Sequence, residues 1–222
     1  MPATMILKER YRRTIEYFNA TMPVPETELE YQDPFELIVA VILSAQCTDK
    51  RVNMITPALM NRFPDAISMA KAEQSEILSY IRSCSYPNSK ARYLREMSEM
   101  LVREFDGRVP SDPVVLQRLP GVGRKTANVV ASVIYKRPVL AVDTHVFRVS
   151  GRIGLTRNAR NPGHAEDQLT RNIPPELIYK AHHWLLLHGR YICKARNPIC
   201  GQCGITDFCK YYTNNYKKKQ KL

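Results

Sequence analysis

The segment LPGVGRKTA, residues 119–127, places two glycines and two cations within five positions. The glycines permit a tight turn, and the pattern predicts that one helix ends near Leu119 and another begins near Gly123. Backbone amides at such a turn and helix start carry partial positive charge, which suits a phosphate group. We therefore predict that Gly121, Gly123 and Arg124 contact phosphate, although Gly-x-Gly turns also occur in helical hairpins that bind nothing.

Lys125 lies in the first turn of the second predicted helix, where the helix dipole disfavours a cation. An acidic side chain would stabilise the helix better at this position, so a lysine there calls for a functional reason. The same dipole favours loss of the ammonium proton, and a free amine is a nucleophile. The sequence therefore predicts that Lys125 is a catalytic nucleophile.

Asp143 follows the apolar stretch 139–142 and precedes a helical pattern, so it is predicted to be a helix N-cap. Taken alone, this position predicts a cap and nothing more. A carboxylate can also transfer protons, or stabilise the positive charge that develops when a glycosidic bond breaks. Given a candidate nucleophile at Lys125, we predict that Asp143 is a second catalytic residue and that His145 is structural.

Four of the six cysteines cluster towards the end of the chain, at Cys193, Cys200, Cys203 and Cys209. Four thiols this close in sequence can bind zinc or an iron–sulfur cluster. Zinc ribbons usually have two close pairs, whereas here one close pair is flanked by two single cysteines, which favours a cubane cluster. Lys194 and Arg196 lie between the first two cysteines and are predicted to contact phosphate.

The charge balance favours a polyanionic partner. The chain of 222 residues has 33 lysines and arginines against 21 acidic residues, a formal net charge of +12. Cations placed on phosphates release condensed counterions, so an excess of this size suggests a nucleic acid.

No segment suggests a membrane or a secretion signal. The longest apolar run, residues 37–43, is far shorter than the ~20 residues that a spanning helix needs. The N-terminus has no basic start followed by a long apolar stretch. We expect an intracellular compartment, where clustered cysteines bind metal more often than they form disulfides.

The apolar periodicity predicts a chain that is nearly all helical. Apolar residues recur at helical spacing from Ile6 to Ala20, whereas residues 21–34 contain three prolines and are predicted to be a linker. Asp33 is predicted to cap a helix from Pro34 to Ala45, apolar enough to be central to a core. Further helices are predicted at about 49–63, 65–71, 74–83, 88–106 and 112–118. No alternating run is long enough for a sheet, although residues 139–142 come nearest to a short strand.

With these residues identified, the chain resembles the endonuclease III family of DNA glycosylases, within the helix–hairpin–helix glycosylase superfamily. The resemblance covers about residues 25 to 210. It rests on LSAQ (43–46), the segment 119–127, VDTH (142–145), HHW (182–184), HGR (188–190) and the four cysteines.

The resemblance implies an all-α fold of two helical domains with double-stranded DNA bound in the cleft between them. One domain would span residues 27–137 and contain the helix–hairpin–helix motif at about 112–133. The other would join residues 1–26 to 138–222 and carry a [4Fe-4S] cluster in the loop 193–209. A protein of this kind can work as a monomer and, in a prokaryote, would act in the cytoplasm at the nucleoid.

The resemblance also implies a base excision repair enzyme that removes oxidised pyrimidines, such as thymine glycol, and then cuts at the abasic site. The target nucleotide would be flipped out of the duplex. Lys125 would attack the sugar C1′ with assistance from Asp143, and the resulting Schiff base would permit β-elimination on the 3′ side. Gln46 would fill the space left by the flipped base. Tyr86 would take the wedge position, where the family commonly has an aliphatic residue, so the opposite-base preference is open.

Two other functions remain open at this stage. A monofunctional glycosylase could act on mismatched adenine or thymine, but adenine-specific relatives usually lack a lysine at the position of Lys125. A non-catalytic DNA-binding or redox-sensing module would use the hairpin and the cluster. Such a module would not explain why a lysine occupies position 125 and an aspartate position 143.

Overall fold

The fold is all-helical, as predicted, in a computed structural model that describes residues 5–216. The α-helices of this described part are α1 (Leu7–Thr21), α2 (Pro34–Ser44), α3 (Asp49–Arg62), α4 (Ala66–Ala70), α5 (Gln74–Ile81), α6 (Pro87–Phe105), α7 (Pro113–Leu116), α8 (Arg124–Tyr135), α9 (Thr144–Ile153), α10 (Pro162–Asn172) and α11 (Ile178–Tyr191). Short 3-10 turns cover Pro175–Leu177 and Cys200–Gln202, and a π-helical turn covers Tyr212–Tyr216. No helix within residues 5–216 combines the length and apolar character that crossing a membrane requires.

The chain divides into two compact units. Unit 2 is one continuous stretch, Thr27–Arg137, and contains α2 to α8. Unit 1 is discontinuous, because it joins Met1–Glu26 to Pro138–Leu222 and so brings α1 together with α9 to α11.

Helix α2 forms the centre of unit 2. The Asp33 side chain accepts a hydrogen bond from the Glu36 backbone amide at 2.9 Å, and Pro34 occupies the first turn, so the predicted cap is present. Phe35 and residues 37–43 are all buried. A helix that is apolar around its whole circumference needs neighbours on every side, and α2 packs against α3, α6 and α8.

The helix before the glycine turn is shorter than predicted. Asp112 caps α7, but the helix ends at Leu116 rather than near residue 118. The amides of Arg118 and Leu119 bond to carbonyls only three residues earlier, so the chain tightens into turns before it reaches the glycines.

Unit 1 is closed by contacts between the two ends of the chain. Phe18 of α1 stacks on Trp184 of α11, with ring centroids 6.0 Å apart and planes inclined by 15°. The Tyr11 hydroxyl donates to the Leu155 carbonyl at 3.0 Å, and Tyr11 and Phe18 are both buried. The apolar face that predicted this helix therefore packs on residues far away in sequence.

Candidate functional site

The two glycines of the hairpin serve different purposes. Gly121 has a φ of +78°, and a Cβ there would lie 2.8 Å from the Cβ of Tyr93, so the fold itself requires glycine. Gly123 has a φ of −83°, and a Cβ there would meet no atom of the described residues within 4 Å. Packing within the described residues therefore does not account for the glycine at position 123, and its exposed backbone is open to close approach by a ligand.

Helix α8 begins beside this bare backbone. Gly123 is the N-cap and has no side chain with which to cap the first amides. Arg124 and Lys125 follow as the first two helical residues, and both are exposed. The first turn contains no acidic residue, so its positive end is not neutralised from within the helix. This combination of amides, dipole and exposed cations suits an anion such as a phosphate.

Exchanging each glycine for alanine separates these two purposes. We expect Gly121→Ala to destabilise the fold, by the 1–3 kcal/mol typical of a strained residue, because it combines positive φ with a clash. Gly123→Ala should leave the melting temperature nearly unchanged and weaken DNA binding. Thermal unfolding and a binding titration on duplex DNA measure both. Equal DNA affinity for Gly123→Ala and the unmodified protein would remove the argument for a phosphate at this turn.

Asp143 is the N-cap of α9, as predicted. Its Oδ1 accepts a hydrogen bond from the Val146 amide at 2.8 Å, and the residue is half-buried. The preceding residues form no strand, and Ala141 is fully buried with its carbonyl accepting from His182 Nδ1 at 2.7 Å. The chain is therefore held by hydrogen bonds both before and after Asp143. A carboxylate has about four lone-pair positions, and the cap uses one of them.

Gln46 and Tyr86 lie on two loops of unit 2 that are joined directly. Both have the left-handed backbone that non-glycine residues rarely adopt, with φ of 55° and 54°. Both are exposed, and the Tyr86 side chain precedes α6 with 63% of its surface accessible. The Ser85 hydroxyl donates to the Gln46 carbonyl at 2.7 Å. The two residues predicted to contact bases therefore stand on one connected and strained surface.

The four clustered cysteines line one cavity in unit 1 and form no disulfide. Burial raises the pKa of the Cys203 thiol to about 11. Burial and the neighbouring cysteines together also raise the pKa of Cys200. Four thiolates that line one cavity would repel one another, so this donor set needs a cationic centre.

The arrangement of these cysteines is compatible with a cubane cluster. Such a cluster distributes its thiolates over separate iron atoms, and all four cysteines line the same cavity. The residues present therefore fit the iron–sulfur cluster that their spacing predicted.

Two arginines of α9 hold the loop that begins at the first cysteine. Arg152 donates to the Lys194 carbonyl at 2.7 Å and to the Ala195 carbonyl at 2.9 Å, and it lies 3.5 Å from Cys193 Sγ. Arg148 donates to the Cys193 carbonyl at 3.2 Å. These bonds fix the backbone while Lys194 points into solvent as an exposed side chain.

The same loop carries the second predicted phosphate-contacting cation, Arg196, which is also exposed. Sequence reasoning predicted phosphate contacts at Lys194 and Arg196 but missed the arginines that hold their loop. The signal available for Arg148 and Arg152 was their spacing of four residues, which places them on one face of a helix.

We expect Cys203→Ala to lose most of the bound iron and to lower the yield of soluble protein, because cluster binding contributes directly to folding. The same substitution at Cys47, which is also half-buried but lies in unit 2, is the matched control. Iron analysis and visible absorbance measure the effect. Full iron content in Cys203→Ala would refute the assignment of this ligand.

Comparisons with known proteins match both regions. Residues 39–175 match the HhH-GPD superfamily of base excision DNA repair proteins, and residues 193–209 match the iron–sulfur binding domain of endonuclease III. The chain is 44% identical over 202 residues to endonuclease III of Rickettsia conorii, covering 91% of this chain and 96% of that protein. Identity to endonuclease III of Escherichia coli K12 is 43% over 189 residues, covering 85% and 89%. The structure resembles a trapped endonuclease III–DNA covalent intermediate with a TM-score of 0.89 and 38% identity, covering 97% of this chain and all of that one.

Proposed function

Because this chain belongs to the endonuclease III family of helix–hairpin–helix base excision repair proteins, we propose that it removes oxidised pyrimidines from duplex DNA and cuts the abasic site. As a member of this family it is a DNA glycosylase with a [4Fe-4S] cluster. Thymine glycol represents the proposed lesions. The observation that carries the lyase proposal is an exposed lysine, Lys125, in the first turn of α8, two residues after the bare backbone of Gly123.

The hairpin binds a phosphate of the damaged strand in this proposal. The amides around Gly121 and Gly123 and the positive end of α8 provide the binding, and Arg124 adds a charge. Lys194 and Arg196 contact a phosphate through the fixed loop described above. The cationic excess of the chain supports this assignment.

Lys125 is the proposed nucleophile. Its amine attacks the sugar C1′, so that a bond forms between Nζ and C1′ while the bond from C1′ to the base breaks and the base leaves with the electron pair. Opening of the sugar ring gives a Schiff base. Loss of a C2′ proton then expels the 3′ phosphate by β-elimination, and hydrolysis releases the enzyme.

Asp143 is the proposed proton acceptor and charge stabiliser. A carboxylate held by its cap bond is pre-organised, so it can take a proton from the attacking amine and stabilise positive charge at the sugar without rearranging.

Gln46 fills the space of the flipped base, and Tyr86 stacks at the gap, since an aromatic ring can replace a neighbouring base.

When bound, the [4Fe-4S] cluster provides four iron–thiolate bonds, and Cys193, Cys200, Cys203 and Cys209 are the residues that would hold it. Arg148 and Arg152 support the cluster loop further, because they fix its backbone after Cys193.

We propose that the protein acts on chromosomal DNA as a monomer.

The test is a borohydride trapping experiment on the unmodified protein. The protein is incubated with a duplex that carries one thymine glycol, and borohydride reduces any imine to a stable amine. We expect a covalent protein–DNA band and a strand cut 3′ to the lesion, neither of which should appear with an undamaged duplex. Protein that binds the duplex with its cluster intact but gives no band would contradict the lyase. Base release from a mismatch would then identify a monofunctional enzyme.

A further inference from the structure

A buried lysine connects the two loops that carry Gln46 and Tyr86. Lys90, in the first turn of α6, is 4% exposed. Its Nζ donates to the Leu43 carbonyl and to the Ala45 carbonyl, each at 2.7 Å. These carbonyls belong to the last turn and the C-cap of α2, where no further helical amide follows to bond them.

The same lysine is bonded to the second loop through its backbone. The Lys90 amide donates to the Tyr86 carbonyl at 3.1 Å, which begins α6. Its side chain bonds the residue immediately before Gln46, and Ser85 bonds the carbonyl of Gln46 itself. Lys90 therefore bonds the backbone of both loops whose exposed residues, Gln46 and Tyr86, are proposed to contact the DNA.

A charged lysine is energetically unfavourable at this interior position. Burial lowers the pKa of Lys90, which is the sign that the environment disfavours its charge. A methionine would fill a similar volume without that cost. The bonds to two carbonyls offset the cost, because hydrogen bonds from a charged donor are among the stronger ones in proteins.

Gln46 and Tyr86 need such a restraint because their left-handed backbones are strained. Without it, the end of α2 and the start of α6 would lose two of the hydrogen bonds that join them. We propose that Lys90 is a positioning residue that holds Gln46 and Tyr86 as one unit for opening the lesion base pair, separate from the chemistry at C1′. This inference rests on the proposed function.

The experiment compares two substrates that differ in the need for base opening. Thymine glycol in a duplex must be flipped, whereas an abasic site in a single-stranded oligonucleotide is already accessible. We expect Lys90→Met to lower kcat/KM on the duplex by about 10- to 100-fold, the effect of losing a charged hydrogen bond. Cutting of the single strand should change by less than about twofold. 2-Aminopurine placed opposite the lesion should report reduced opening, a readout that does not depend on the chemical step.

A second variant keeps the test independent of folding. Ser85→Ala removes the bond to the Gln46 carbonyl from a half-buried hydroxyl, and we expect a loss of about twofold to tenfold on the duplex alone, as for a neutral hydrogen bond. Equal losses on both substrates for the two variants, or unchanged base opening, would overturn the inference. Failure of the unmodified protein to cut an abasic site in a duplex would instead overturn the lyase proposal.

Discussion

Lys125→Ala is expected to eliminate the covalent band in the trapping experiment and to lower strand cutting by at least about a thousandfold, as for loss of a covalent nucleophile. DNA affinity should remain largely intact, because the hairpin amides and Arg124 do not depend on this side chain. The fold should not suffer, since alanine is a good helix former and a cation is disfavoured in the first turn of α8. Trapping, a binding titration and thermal unfolding on the same preparation measure these three effects.

Lys71→Ala is the matched control for this prediction, because Lys71 is another exposed lysine of unit 2, at the end of α4. It should cut and trap like the unmodified protein. A normal covalent band from Lys125→Ala would show that a different amine attacks C1′. A large loss of affinity in that variant would assign Lys125 to phosphate binding rather than to catalysis.

Asp143→Asn is expected to slow base excision by about a hundredfold to ten-thousandfold, the usual contribution of a general acid or base. The substitution suits this position because asparagine also caps helices and can accept the bond from the Val146 amide. It therefore removes the negative charge while preserving the start of α9. Single-turnover excision rates, compared with thermal unfolding, separate the two properties.

Asp143→Ala removes the charge and the cap together. It should show the same catalytic loss and, in addition, a stability loss of about 1 kcal/mol. Normal excision by Asp143→Asn would mean that Asp143 only caps α9. In that case the proton acceptor would have to be sought elsewhere.

Local sequence patterns predicted the helices and their caps well, because those depend on neighbouring residues. Apolar spacing identified α1 and α2, and Asp33 and Asp143 were both recognisable as caps before a helical pattern. The boundary of α7 was wrong by about two residues, since short-range turns ended it earlier. Helix ends are decided by small energy differences that periodicity does not contain.

The bonds that the supporting residues make could not be predicted, because their partners are backbone carbonyls far away in sequence. Lys90 donates to carbonyls that lie 45 and 47 positions earlier in the chain. Arg152 donates to carbonyls that lie 42 and 43 positions later. Any residue has a carbonyl, so no pairing of residue types marks such a bond. The difference between Gly121 and Gly123 was hidden for the same reason, since it depends on the distant Tyr93.

The discontinuous construction of unit 1 affects the order in which the protein is assembled during translation. Tyr11 must wait for the carbonyl of Leu155, 144 residues later, and the Met22 carbonyl accepts from Trp184, 162 residues later. All of unit 2 is synthesised before either partner exists. Since domains generally fold as units during synthesis, unit 2 should fold first while α1 stays without its partners. Iron is then needed only after unit 2 has been made, once the cysteines from position 193 onward have emerged.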